Sequence, residues 1–88
     1  NGGIRTFSSN GTTLVALSAT EGGHGAVVTS STEGTPLVGL GGDEDGGVVG
    51  LRNKTNEGVI QMRADEDGNG YLGVFDRKGK GRVIRPGQ

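Results

Sequence analysis

Residues 58–75 read GVIQMRADEDGNGYLGVF. Two apolar runs, around Ile60 and Met62 and around Leu72 and Val74, flank the acidic, glycine-ended segment Asp65-Glu66-Asp67-Gly68. The apolar residues lie two apart in each run. That is the strand period, because alternate side chains of a strand point to one face. Glycine accepts the positive φ that tight hairpin turns require. The stretch predicts strand, turn, strand.

The same phrase extends in both directions at intervals of 10 to 12 residues, with turn glycines expected at Gly11, Gly22, Gly34, Gly46, Gly58, Gly68 and Gly79. Regularity of this kind marks a repeat protein. Aligning the apolar runs gives two columns. The first holds Val15, Val27, Val38, Val49, Ile60, Leu72 and Val83; the second holds Leu17, Thr29, Leu40, Leu51, Met62 and Val74. The column between them is smaller: Ala16, Val28, Gly39, Gly50, Gln61 and Gly73. The preceding column, Leu14, Ala26, Leu37, Val48, Val59 and Tyr71, is apolar again, so both faces carry grease. A longer unit of 22–23 residues, two strands and two turns, overlies the short one, marked by Gly3, Gly25, Gly47 and Gly70.

The expected fold is all-β, with about seven short strands and 11–12 residues per strand plus turn. Two architectures fit. One is an antiparallel β-meander, in which TNEG, DEDG and STEG make type I turns followed by a glycine bulge. The other is a β-solenoid with one coil per long unit. No helical period appears. A single domain is expected over residues 1–88, with a weak first repeat at 1–11, regular repeats at 12–75 and a basic end at 76–88. Arg5 and Arg85 read as breaks in the inward columns at the two ends.

Composition sets the next constraint. Of 88 residues, 20 are glycine, 30% are apolar, and Trp is absent, so there is little side-chain volume to hide. Lean chains of this size without disulfides or metals usually oligomerise. There is no cysteine to form a disulfide, no run approaches the length of a membrane span, and no signal-peptide pattern is visible at Asn1. Up to Phe75 there are nine acids and four bases, whereas Asp76–Gln88 holds Asp76 against Arg77, Lys78, Lys80, Arg82 and Arg85. The basic end reads as a solvated tail or as the partner of acidic turns on a neighbouring copy. It lacks the interleaved aromatics of a nucleic-acid site.

Several motifs could carry chemistry. Asp65, Asp67, Asn69 and Asp76 fall at the first, third, fifth and twelfth places of a calcium-loop pattern, with Gly70 at the sixth. No helical pattern flanks them, so a plain hairpin turn is the competing reading. Asn10 and Asn53 head N-glycosylation triplets. His24 stands alone in GGHG, with no cysteine or second histidine to share a metal. No nucleophile, base and orienter can be assembled, and the chain reads as a non-enzyme without a cofactor, calcium aside.

The aliphatic pairs two apart, the Asx-Gly turns and the short strand-turn period resemble the glycine-rich shafts of trimeric phage and viral fibres and of bacterial surface stalks. The resemblance covers Thr12 to Arg85. The sequence departs from the viral shafts in repeat length and in its charged DEDG turns. The resemblance implies a fibrous, extracellular, cell-surface or virion-borne structural protein that is homo-oligomeric, as a trimer resembling a β-prism or β-helix or as a head-to-tail filament. The inward aliphatics then supply the assembly core: Val15, Leu17, Val27, Val38, Leu40, Val49, Leu51, Ile60, Met62, Leu72 and Val74. A calcium- or carbohydrate-binding β-repeat module is the alternative function.

Overall fold

The computed structural model describes residues 3–87. Eight strands follow one another: β1 (Ile4–Phe7), β2 (Thr13–Ala19), β3 (Gly25–Ser30), β4 (Pro36–Asp43), β5 (Gly46–Arg52), β6 (Gly58–Ala64), β7 (Gly70–Phe75) and β8 (Gly81–Ile84). They form one open sheet in chain order. Every neighbouring pair is antiparallel. Of the two expected architectures, the chain takes the meander.

The strand count is one higher than the sequence suggests. The weak first repeat forms β1, with Ile4 opposite Leu17 and Thr6 opposite Val15. Arg5 therefore lies opposite Ala16 on the other face, not in the inward column. At the far end the register is one residue off the sequence alignment. Ile84, not Val83, lies opposite Leu72, and Arg82 lies opposite Val74.

Six of the seven turns share one device, which explains why the chain reverses where it does. Ser8, Thr20, Ser31, Asn53, Asp65 and Asp76 each head a five-residue turn. The N–H of each head residue donates to the carbonyl of the residue four on, and the N–H of the residue three on donates back to the head carbonyl. That residue three on is Gly11, Gly23, Gly34, Asn56, Gly68 or Gly79, with φ from 70° to 91°. The head side chain completes the motif. Asp65 Oδ1 accepts the N–H groups of Asp67 (3.0 Å) and Asn69 (2.9 Å), and Asp76 Oδ1 accepts those of Lys78 (2.8 Å) and Lys80 (3.0 Å). Short polar side chains that bond the main chain two and four residues on are natural turn heads.

Two of the expected turn glycines are thereby displaced. Gly23 rather than Gly22, and Asn56 rather than Gly58, take the positive φ. The head residue sets the register, and the left-handed position falls three residues after it. The β4–β5 turn differs again: Asp43 pairs directly with Gly46, leaving a two-residue loop, and Asp43 Oδ1 accepts the Asp45 N–H at 2.9 Å.

The sheet is a single layer. Among the described residues no apolar side chain is buried. A globular chain of this size exposes about 4,800 Å² by surface scaling, whereas this one exposes 6252 Å². Its radius of gyration is 14.6 Å, against about 12 Å for a compact domain of this length. Stable β domains normally pack a second layer on the apolar face.

Asn56 is the only non-glycine described with a positive φ, 70°. Asn56→Val forces a branched side chain into that region and costs about 1–2 kcal/mol, whereas Asn56→Gly costs nothing measurable; thermal melts of both variants at matched concentration check this.

Candidate functional site

In an antiparallel ladder, residues directly opposite one another share a face. Following the register from strand to strand therefore assigns every side chain. One row runs Ile4, Leu17, Val27, Leu40, Val49, Met62, Leu72 and Ile84. A parallel row runs Thr6, Val15, Thr29, Val38, Leu51, Ile60, Val74 and Arg82. Both rows lie on the same face, here called face A. All eleven residues of the expected assembly core stand in these two rows. The face is uncovered: Leu40 and Val74 are 46% exposed and Met62 44%.

Face A changes in size along the strands. Beyond the Leu40 row the ladder pairs Ala19 with Gly25, Gly42 with Gly47 and Ala64 with Gly70. Beyond the Val38 row it is interrupted by register shifts at Thr6/Phe7, Thr29/Ser30 and Leu51/Arg52. Bulges of this kind bend and twist a sheet locally. The apolar stripe is thus two residues wide, with small residues on one flank and kinked, polar strand ends on the other.

Face B has a different character. Its central row is Arg5, Ala16, Val28, Gly39, Gly50, Gln61, Gly73 and Val83. Glycine pairs with glycine between β4 and β5, leaving a shallow groove of about 520 Å³ walled by Ala26, Leu37, Val48 and Arg63. At β7 the bare backbone is covered. A side chain at Gly73 would collide with the Phe75 ring at 2.7 Å, and Gly73 is buried beneath it.

Charge collects on the rims, where the turns lie. The rim built from the β2–β3, β4–β5 and β6–β7 turns carries Glu21, Asp43, Glu44, Asp45, Asp65, Glu66 and Asp67, seven of the ten acids in the chain. The opposite rim carries Glu33, Lys54, Glu57, Asp76, Arg77, Lys78 and Lys80 in its turns. Two ion pairs repeat along the acidic rim. Arg63 binds Asp43, and 22 residues on Arg85 approaches Asp65 at 3.5 Å. The Arg85 guanidinium also lies 4.7 Å over the Tyr71 ring. The Asp45 N–H, with the Arg63 guanidinium in support, holds the Asp43 carboxyl below its ordinary value of 3.8. The Thr55 hydroxyl, then Asn53, and the positive charge of Arg77 do the same for Glu57.

The expected site residues are distributed as follows. Asp65, Asp67 and Asn69 share the β6–β7 turn, but Asp76 heads the turn at the other end of β7, about 20 Å away at the usual rise per residue. The four do not converge, because residues 70–75 run straight as a strand instead of curling around an ion. Among the described residues no group of three or more His, Cys, Asp or Glu is placed to hold a metal. Asn10 is exposed; Asn53 is half-buried, its Oδ1 accepting the N–H groups of Thr55 and Glu57. His24 is exposed in its turn. Among the described residues no helix is long and apolar enough to cross a membrane. The repeated Asp–Arg pairs were not anticipated, although the spacing was visible: Asp43 to Arg63 and Asp65 to Arg85 are each 20 residues apart.

No family model matches the chain, and comparison with the curated proteins and with the solved structures found no match.

The depressed Asp43 value fixes a sign. A carboxylate whose folded pKa lies below its unfolded one adds stability above the unfolded value, and that stability is lost as pH falls through the folded value. The melting temperature is expected to fall on acidification below about pH 4. Asp43→Asn keeps an acceptor for the Asp45 N–H and should show a shallower fall across the same window, measured by circular dichroism melts at stepped pH.

Proposed function

We propose that this chain is a structural β-repeat module that assembles with copies of itself, three to a bundle, into an extracellular or virion-borne stalk or filament. The single observation that carries the reading is the uncovered double row on face A. Eight strands line up two aliphatic rows on one face, and among the described residues nothing covers it. The surface in excess of a globular chain is about 1,400 Å², more than the roughly 800 Å² that each partner contributes to a standard interface. A second copy has the right chemistry to cover it.

The taper of face A supports three chains over two. Two sheets stacked face to face lie about 10 Å apart throughout and want filling of even depth. Three sheets meeting as a triangular prism leave most room opposite mid-strand and least at the corners. Large residues in the two middle rows with Ala and Gly at one flank match the second arrangement. A seven-residue strand spans about 23 Å, and the centre of a triangle with sides of that length lies about 7 Å from each side, within reach of facing Leu, Ile and Met side chains. The glycine and Asx turns keep each side short. Localisation outside the cell or on a virion rests on the resemblance to fibre shafts and surface stalks.

Leu40→Asp places a charge at the centre of the double row and is expected to convert the assembly to monomer with a lower melting temperature. Gln61→Asp, a similar insertion on face B, is expected to leave the mass unchanged. Sedimentation velocity with negative-stain microscopy checks both; a wild-type chain that stays a folded monomer at tens of micromolar overturns the reading.

A further inference from the structure

We infer that the copies meet in one sense only, with the acidic β6–β7 turn of one chain against the basic β7–β8 turn of the next. This rests on the self-assembly proposed above and adds to it the contact that orders the chains. Glu66 and Asp67 lie at one end of β7, and Lys78 and Lys80 lie just beyond the other. The intervening strand has six residues, about 20 Å. That exceeds two Debye lengths at physiological salt, so the two clusters of one chain cannot satisfy each other. The hydrogen bonds of both turns run through Asp65, Asp76 and main-chain groups, and they do not use the Glu66, Asp67, Lys78 or Lys80 side chains.

The topology brings the clusters together between chains. In a ring of sheets, each rim meets the opposite rim of its neighbour, because a cyclic contact is head to tail. Turns on the two rims alternate in height by one strand. The β6–β7 turn of one copy therefore lies level with the gap between the β5–β6 and β7–β8 turns of the next, where Lys54, Arg77, Lys78 and Lys80 outnumber the acids Glu57 and Asp76. The match is strongest at this end of the sheet. Towards β1 the basic rim offers no cation in the β1–β2 turn and only Glu33 in the β3–β4 turn. Complementary charge of this kind fixes register and suppresses wrong pairings, while the apolar face supplies the adhesion.

The test uses the whole chain and four proteins: wild type, Glu66→Lys/Asp67→Lys, Lys78→Glu/Lys80→Glu, and the combination of all four changes. Sedimentation equilibrium at about 50 mM and about 500 mM salt reads the concentration at which each dissociates, and circular dichroism confirms the fold. Each double variant is expected to dissociate at roughly tenfold higher concentration than wild type at low salt. The combined variant is expected to return to the wild-type value, and the wild type itself should weaken as salt is raised. Double variants that match wild type at low salt, or a combined variant as weak as either double, overturn this contact while leaving self-assembly intact. A wild type that is monomeric in both buffers overturns self-assembly and this contact together.

Discussion

Everything in this sheet depends on keeping one set of aliphatic side chains on one face through seven successive hairpins. The side-chain period of a strand is two, so a slip of one residue at any hairpin would send the rest of the chain's aliphatics to the opposite face. The chain avoids this by fixing its reversals from within the turns. A Ser, Thr, Asn or Asp head accepts main-chain N–H groups two or four residues on, and the residue three on takes a positive φ. The bonds that close each turn are all local, spanning five residues. This matters more here than in a two-layer domain, where a second layer would penalise a slipped strand.

The two faces follow from the same register but differ in composition. Face A holds two aliphatic rows in mid-strand, whereas face B has a central row rich in Gly and Ala flanked by Leu14, Leu37, Val48, Val59 and Tyr71. Phe75 over Gly73, and Arg85 over Tyr71 beside Asp65, show how face B covers part of its backbone using side chains from its own strands or the next. Face A has no such device; its rows can be hidden only by another layer. On the proposed assembly, this asymmetry would turn face A inward and face B outward.

The strand period made much of this legible. Ile60 with Met62, or Leu72 with Val74, identify a shared face from spacing alone, and the hairpin turns made the antiparallel reading available. The exact turn register was harder, because glycine is abundant. Gly22 and Gly58 look like turn glycines, but the head residues Thr20 and Asn53 decide, and they place the left-handed residue at Gly23 and Asn56. The ends were misread for a related reason. Arg5 and Arg85 seemed to break the inward columns, whereas Ile4 and Ile84 end the first column and Arg82, not Arg85, ends the second. The calcium-like pattern at Asp65 follows from turn chemistry, since acidic heads and glycines recur where hairpins need them, and a straight β7 carries Asp76 away from the other three.

The edges of the sheet follow a logic of their own. An open antiparallel sheet presents two unpaired edges, and unpaired edges invite indiscriminate pairing. Here the edge strands are the shortest in the sheet, four residues each, and each carries an arginine, Arg5 on β1 and Arg82 on β8. Both features discourage extension along the ladder. The apolar rows leave face A as the surface another layer would cover, and the two rims differ in charge. Short cationic edges, a greasy face and oppositely charged rims are separable in sequence, since they fall on edge strands, alternate strand positions and turns respectively. Each part of the hairpin repeat thus controls a different surface of the sheet, even in a chain with so little side-chain volume.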